Sequence, residues 1–194
     1  ILFEWLHETL RVEDNPEALE QKIATQSPAA HGLTVLPFLA GERSPGWKGH
    51  ARGAIVGLSL HTRPVEILRA GLESVAYRFA KIALLLKKAV PDSVEIVASG
   101  GALLKSPAWT QMMADVLGQP MITSAVAEAS SRGAALLALE AMKIISDFHQ
   151  LPNPDGHIYL PDPKKHEIYA NAMNRQDELY KLLVNQLSAS TIQN

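Results

Sequence analysis

The feature that most limits how this chain folds is Val94 to Leu117, VEIVASGGALLKSPAWTQMMADVL. A short apolar run, Ile96-Val97-Ala98, meets the pair Gly100-Gly101, and a helix start follows at Ser106-Pro107. Ser is a preferred N-cap residue, and Pro is tolerated at the first helical position. Strand, glycine turn and helix N-terminus together let backbone approach a nucleotide closely. The glycines take Cβ atoms out of the path, and the helix start offers N–H groups and a positive dipole end. The same stretch also reads as a plain strand–turn–helix connection, so the rest of the chain has to decide.

Strands and helices alternate along the 194 residues. Helices are expected over Leu2–Leu10, from Pro16 to about Thr25 with Asn15 as cap, and from Val65 to about Ala89. Others are expected over Ser130–Ile145 and Lys164–Leu187. On the long helix, Ile67, Leu68, Leu72, Val75, Ala76 and Phe79 recur at three and four spacing and predict its buried face. Short strands are expected at Leu33–Leu39, Ala54–Leu60, Ile96–Ala98 and Pro120–Thr123. Gly41–Gly49 is a loop by composition, Leu151–Pro163 a Pro-punctuated connection, and Ser188–Asn194 a polar tail. Alternation at crossover length predicts an α/β layered domain.

With 47% apolar residues the chain buries a real core. A net charge of −2 argues against a nucleic-acid binder. No cysteine is present, so disulfides and thiolate metal sites are excluded. The seven histidines show no metal-ligand spacing. The longest apolar run, Ile82–Leu86, falls far short of the roughly 20 residues that cross a bilayer. Residues Ile1 to Leu6 already lie inside a helical pattern with no cap before them. A piece cut from a longer protein is therefore expected.

Four blocks in register resemble the C-terminal domain of the FGGY carbohydrate kinases. The first is Leu36-Pro37-Phe38-Leu39-Ala40-Gly41-Glu42-Arg43-Ser44-Pro45. The second is Ala51 to Leu58, followed by Arg69-Ala70 and Leu72-Glu73. The third is Ser99-Gly100-Gly101 with Lys105-Ser106-Pro107, Trp109, Gln111, Ala114-Asp115 and Gly118. The fourth is Glu128-Ala129 with Arg132-Gly133-Ala134-Ala135. Gly71 departs from the pattern, and a helical glycine costs about 1 kcal/mol relative to Ala.

The resemblance implies a ribonuclease H-like lobe of the actin-like ATPase kind, with a mixed central sheet flanked by helices. Residues 1–187 would be the ATP-side, C-terminal lobe of a cytoplasmic kinase that transfers the ATP γ-phosphate to a sugar, sugar acid or polyol. The catalytic Asp and most of the sugar site would lie on an N-terminal lobe, so the isolated chain is expected to be inactive. Glu42-Arg43-Ser44-Pro45 leans toward a gluconokinase-like or pentulokinase-like member. By the resemblance Gly100 and Gly101 meet adenosine, Ala102 and Leu103 line the adenine pocket, and Lys105 stands near the nucleotide. Lys105 reads equally as a solvated lysine, and Ala102 and Leu103 as ordinary loop packing. Glu4 matches a position that faces the phosphates, but its charge would repel ATP unless Mg2+ or water intervened, which favours a solvent-facing role. Arg52 is expected to brace the Glu42–Arg43 loop through a carboxylate, and a surface ion pair is the alternative. Gly133-Ala134-Ala135 would let a helix pack closely on a neighbour near the hinge between lobes. Homo-oligomerisation stays open. The alternative function is a non-catalytic actin-like nucleotide-binding or assembly module. An unrelated dinucleotide-binding domain would need Gly-x-Gly-x-x-Gly, which Gly100-Gly101 is not.

Overall fold

A computed structural model describes residues 2–12, 15–90, 95–126, 128–148, 151 and 155–186. The expected tail, Ser188–Asn194, lies outside the described residues. Seven α-helices and five strands are described, in two sheets. Strands β1 (Thr34–Leu36) and β2 (Ala54–Val56) form an antiparallel pair. Strands β3 (Ile96–Ala98), β4 (Met121–Ser124) and β5 (Asp155–Tyr159) form a mixed sheet in that order. β3 runs parallel to β4, with Ile96 opposite Met121, and β5 runs antiparallel to β4. The sheet is mixed and flanked by helices, as expected, but β1 and β2 stand apart from it.

The helices start where local chemistry puts them. Helix α1 is Leu2–Leu10 and α2 is Pro16–Thr25. The Asn15 side chain accepts from Glu17 N–H at 3.0 Å and Ala18 N–H at 3.1 Å. Helix α3, Pro64–Ala89, is the spine of the domain. At 26 residues it runs about 39 Å. Glu66 accepts from the Arg63 N–H at 2.8 Å and closes its first turn. Helix α4 is a single turn, Gly101–Leu104, and α5 is Pro107–Leu117. Gly118 ends α5 with φ +68, and a Cβ there would lie 2.6 Å from Cε1 of His166, so only Gly fits. Helix α6 is Ala129–Ala141, and α7 is Pro163–Tyr180, capped by Asp162 and continued by a π-helical stretch, Lys181–Gln186.

Two expectations change. The Leu151–Pro163 connection contains β5, hidden between prolines. The final helix starts at Pro163 and leaves α-helical geometry after Tyr180. The neighbour expected for Gly133-Ala134-Ala135 is near the hinge between lobes; among the described residues α6 buries none of its side chains, and a Cβ on Gly133 would find nothing within 4 Å.

The main core joins Leu6, Leu19, Ile23, Leu68, Leu72, Ala76, Met112, Met113, Val116, Met121 and Tyr169. Each large side chain fully buried here contributes about 1.5–3 kcal/mol. Phe79, expected in the buried face of α3, is 48% exposed. Charged residues take part of that face instead. Arg69 and Glu73 are 4% and 1% exposed and pair at 2.9 Å. Glu73 also accepts from Ala29 N–H at 3.2 Å, Tyr77 Oη–H at 3.0 Å and His31 Nε2 at 3.0 Å. The Leu33 N–H donates to His31 Nδ1 at 3.0 Å, which leaves Nε2 as the hydrogen-bearing nitrogen. Arg69 donates to the Ile23 carbonyl and, at 3.1 Å, to Tyr169 Oη. Burial alone would raise the Glu73 carboxyl, but His31, Arg69 and the Ala29 N–H outweigh it and hold it below its ordinary value of 4.5. Burial beside Glu73 pushes the Tyr77 hydroxyl well above its usual range.

The Gly41–Gly49 loop is anchored from inside. Glu42 is 4% exposed, pairs with Arg78 of α3 and accepts from Tyr180 Oη at 2.5 Å. This ion pair is buried on both sides. Among the described residues Arg52 braces no carboxylate; it donates to the Gly49 and Ala51 carbonyls at 3.2 and 3.0 Å.

Gly71 has a packing reason: a Cβ would run into Cδ1 of Leu6, which is 2% exposed. Gly71→Val should therefore destabilise the domain by about 1–3 kcal/mol through overpacking, measured by urea unfolding. A neutral or stabilised variant would mean that α1 does not pack on α3 this closely. Glu73→Gln leaves Arg69 buried without its counter-charge and should cost about 3–5 kcal/mol at neutral pH. Because the folded carboxyl titrates below 4.5, its contribution is whole above that pH and is lost as pH falls through the folded value. The variant should lose less stability than the parent between neutral pH and pH below 4.5 in parallel urea titrations.

Candidate nucleotide cleft

At the end of β3 the chain turns sharply. Ala98 is buried, and Gly100 has φ +96, a conformation that L side chains rarely adopt. Gly101 opens α4, closed by Leu104 N–H to Gly100 O and Lys105 N–H to Gly101 O, both at 3.1 Å. Ser106 then caps α5, its Oγ accepting from Trp109 N–H at 3.2 Å. Thr110, fully buried, donates to the Leu103 carbonyl at 2.8 Å and fastens α4 to α5. Sequence reasoning foresaw one helix start here, whereas the chain makes a helical turn first.

Beside this turn lies a cleft of about 480 Å³. One side is Gly101, Ala102, Lys105 and Ser106; the other is Phe3 of α1 with Pro16, Leu19, Glu20 and Ile23 of α2; Leu72 and Trp109 complete it. The Trp109 indole N–H donates to the Leu72 carbonyl at 3.3 Å, which fixes the ring. The volume falls in the range of small-molecule sites, about 300–1,000 Å³. The lining is mainly apolar with a few polar groups, the chemistry that takes up a flat ring and leaves its polar edge wet.

The cleft gathers Gly101, Ala102 and Lys105. Gly100 stands just before it. Neither glycine has any atom within 4 Å of where a Cβ would stand. Leu103 faces the other way, toward a groove of about 540 Å³ shared with Phe79, Ile82 and Met113, and packs on the main core. Glu4 is exposed on α1 and is not among the residues lining the cleft, which its neighbour Phe3 joins. The α5 N-terminus is not free for a ligand's anion. Glu20 accepts from Ala108 N–H at 2.6 Å and from Ser106 Oγ–H at 2.7 Å. Among the described residues no group of three or more His, Asp or Glu side chains is placed to hold a metal ion. Sequence reasoning missed Phe3, Leu19 and Glu20. The apolar spacing of α1 and α2 marks them as helix faces, but nothing local says that these faces meet the Gly-Gly turn.

Residues 1–142 match the model of the FGGY family of carbohydrate kinases, C-terminal domain. The chain is 31% identical to the gluconokinase of Bacillus subtilis over 154 residues, 79% of this chain and 30% of that protein. It is 33% identical to a glycerol kinase of Leptothrix cholodnii over 177 residues, 86% of this chain and 35% of that protein. A ligand-bound xylulose kinase from Lactobacillus acidophilus superposes with a TM-score of 0.82 at 28% identity, over 94% of this chain and 37% of that one. The chain therefore spans about a third of the length of the relatives it matches. Its fold is theirs, the actin-like ATPase fold. The family match over most of the chain and the register of the motif blocks lead to one conclusion: the chain belongs to the FGGY family of carbohydrate kinases and carries the family's C-terminal domain.

Proposed function

We propose that this chain is the ATP-side lobe of a kinase that transfers the ATP γ-phosphate to a hydroxyl of a sugar, sugar acid or polyol. The observation that carries the reading is the open face of Gly101. Its φ is not left-handed, and no neighbour in the chain stands where its Cβ would be. Neither backbone geometry nor internal packing asks for a glycine there, and a ligand lying against the backbone does. In this reading the adenine ring enters between Phe3, Leu19 and Ile23 on one side and Ala102 on the other. Lys105 stands at the rim, where an ammonium group is suited to the ribose or phosphates. Leu103 supports the turn from behind, and Glu4 lies off the cleft, reaching the phosphates only through water or Mg2+.

With no carboxylate cage among the described residues, Mg2+ would be held chiefly by the phosphates and water, as is usual for that ion. ATP supplies the phosphoryl group; this lobe binds and orients the nucleotide, and catalysis rests on positioning and charge neutralisation. The base that deprotonates the sugar hydroxyl, and most sugar contacts, belong to an N-terminal lobe outside this chain. Domain limits of 1–187 and a cytoplasmic location are part of the same proposal. The inward turn of Glu42 leaves Arg43 as the charged group that the Glu-Arg-Ser-Pro loop presents outward. Substrate class therefore stays at sugar, sugar acid or polyol.

The test is made in the full-length protein. Gly101→Val should raise the Michaelis constant for ATP about tenfold or more, with the sugar constant nearly unchanged. Because Gly101 is not strained, melting temperature should change little. Gly100→Ala is the contrast: its φ of +96 penalises any Cβ, so that variant should lose about 1 kcal/mol of stability. An unaltered ATP constant in Gly101→Val would overturn the nucleotide reading of the turn.

A further inference from the structure

We infer that Glu20 is a positioning residue of this cleft, locking its two walls together at the distance the nucleotide base needs; this rests on the nucleotide reading above. Glu20 lies on α2, one residue after Leu19 and three before Ile23, both of which line one wall. Its carboxylate crosses to the opposite wall. There Oε2 accepts from Ser106 Oγ–H at 2.7 Å and Oε1 accepts from Ala108 N–H at 2.6 Å. Ser106 follows Lys105 directly, and its own Oγ caps α5 through Trp109 N–H. One carboxylate thus fixes α2, the α4–α5 turn and the first turn of α5 against one another, across more than 80 residues of sequence.

The chemistry favours a clamp over a ligand contact. Both oxygens already accept short bonds, one from a hydroxyl and one from a helix N-terminal amide, where a negative charge is stabilised by the dipole. A free carboxylate facing ATP would repel its phosphates; one whose oxygens are both turned to donors at a helix start repels them less. Less than one turn farther on, α2 is also held by Arg69 on the Ile23 carbonyl. Loss of Glu20 therefore removes the direct tie between the two walls while the Arg69 anchor of α2 remains. A displacement of this wall by a fraction of the ring thickness is enough to weaken nucleotide binding substantially.

The experiment uses the full-length protein with three forms: parent, Glu20→Ala and Glu20→Gln. Mg-ATP and sugar affinities are measured by calorimetry, and steady-state constants well below each melting temperature. Glu20→Ala should weaken ATP binding about tenfold, with kcat and the sugar constant within about twofold of the parent. Glu20→Gln keeps one acceptor for the Ala108 N–H and an amide that can donate to Ser106 Oγ, so it should recover most of the ATP affinity. A role limited to helix stability would lower the melting temperature and leave the ratio of ATP to sugar constants unmoved. That result overturns the inference. So does an alanine variant that binds ATP as well as, or more tightly than, the parent. If the parent binds no ATP, the nucleotide reading itself falls, and the clamp with it. Normal ATP binding by the parent and by Glu20→Ala removes the clamp alone.

Discussion

The buried pair of Arg69 and Glu73 is the constraint on which the rest of this domain hangs. Both sit on α3, one turn apart, and neither has access to water. Such a pair holds only when every remaining donor and acceptor is met, and a chain must deliver those partners from elsewhere. Ile23 supplies a carbonyl from α2, Tyr169 a hydroxyl from α7, and Ala29 and His31 two donors from the segment that leads into β1. The pair thus sets where α2, α7 and β1 sit around the spine. Because α2 is also a wall of the cleft proposed to take the nucleotide, the same ion pair fixes that cleft from behind.

A second polar cluster does similar work farther along α3. Arg78 meets Glu42 and lies over the rings of Phe38 and Tyr180, with centroid distances of 5.2 and 5.0 Å. Two of its nitrogens, Nε and Nη1, have no hydrogen-bond partner among the described residues. The two ring faces offset part of that cost. Burial and the bond to Glu42 push the Tyr180 hydroxyl up to about 12, so it stays a donor at all ordinary pH. Gln176 of α7 adds bonds to the carbonyls of Val35 at 2.8 Å and Ser74 at 3.2 Å. The β1–β2 sheet is held to the helices as much by these polar bonds as by its small apolar clusters of Leu36, Phe38 and Val184 and of Leu33, Val35 and Ala70.

These clusters mark what sequence reasoning could and could not see. Helix starts were legible because their causes are local: Asn15 and Ser106 cap within three residues, and Pro follows each. An Arg and a Glu four apart on a helix, by contrast, are the pattern of an exposed surface pair. Only partners 42 to 100 residues away in sequence turn Arg69 and Glu73 into a core. Strand β5 escaped notice because prolines crowd its flanks and its pairing partner, β4, lies more than 30 residues earlier. Gly71 read as a helix defect, yet it is the gap into which Leu6 fits. Glu20 drew no reading at all, because its partners Ser106 and Ala108 lie more than 80 residues on.

The two glycines of the turn show how fold and function separate within one dipeptide. Gly100 is required by the chain itself, since its left-handed φ excludes a Cβ whatever surrounds it. Gly101 lies in a right-handed helical turn, where alanine would be the better helix former by up to about 1 kcal/mol. It packs against nothing, and its neighbours would tolerate a side chain. Under the proposed function, a position where folding favours another residue, on the open side of an apolar cleft, is one where the demands of a ligand outweigh those of the fold. In that proposal the line between binding surface and scaffold falls between two adjacent glycines, Gly100 serving the fold and Gly101 the ligand.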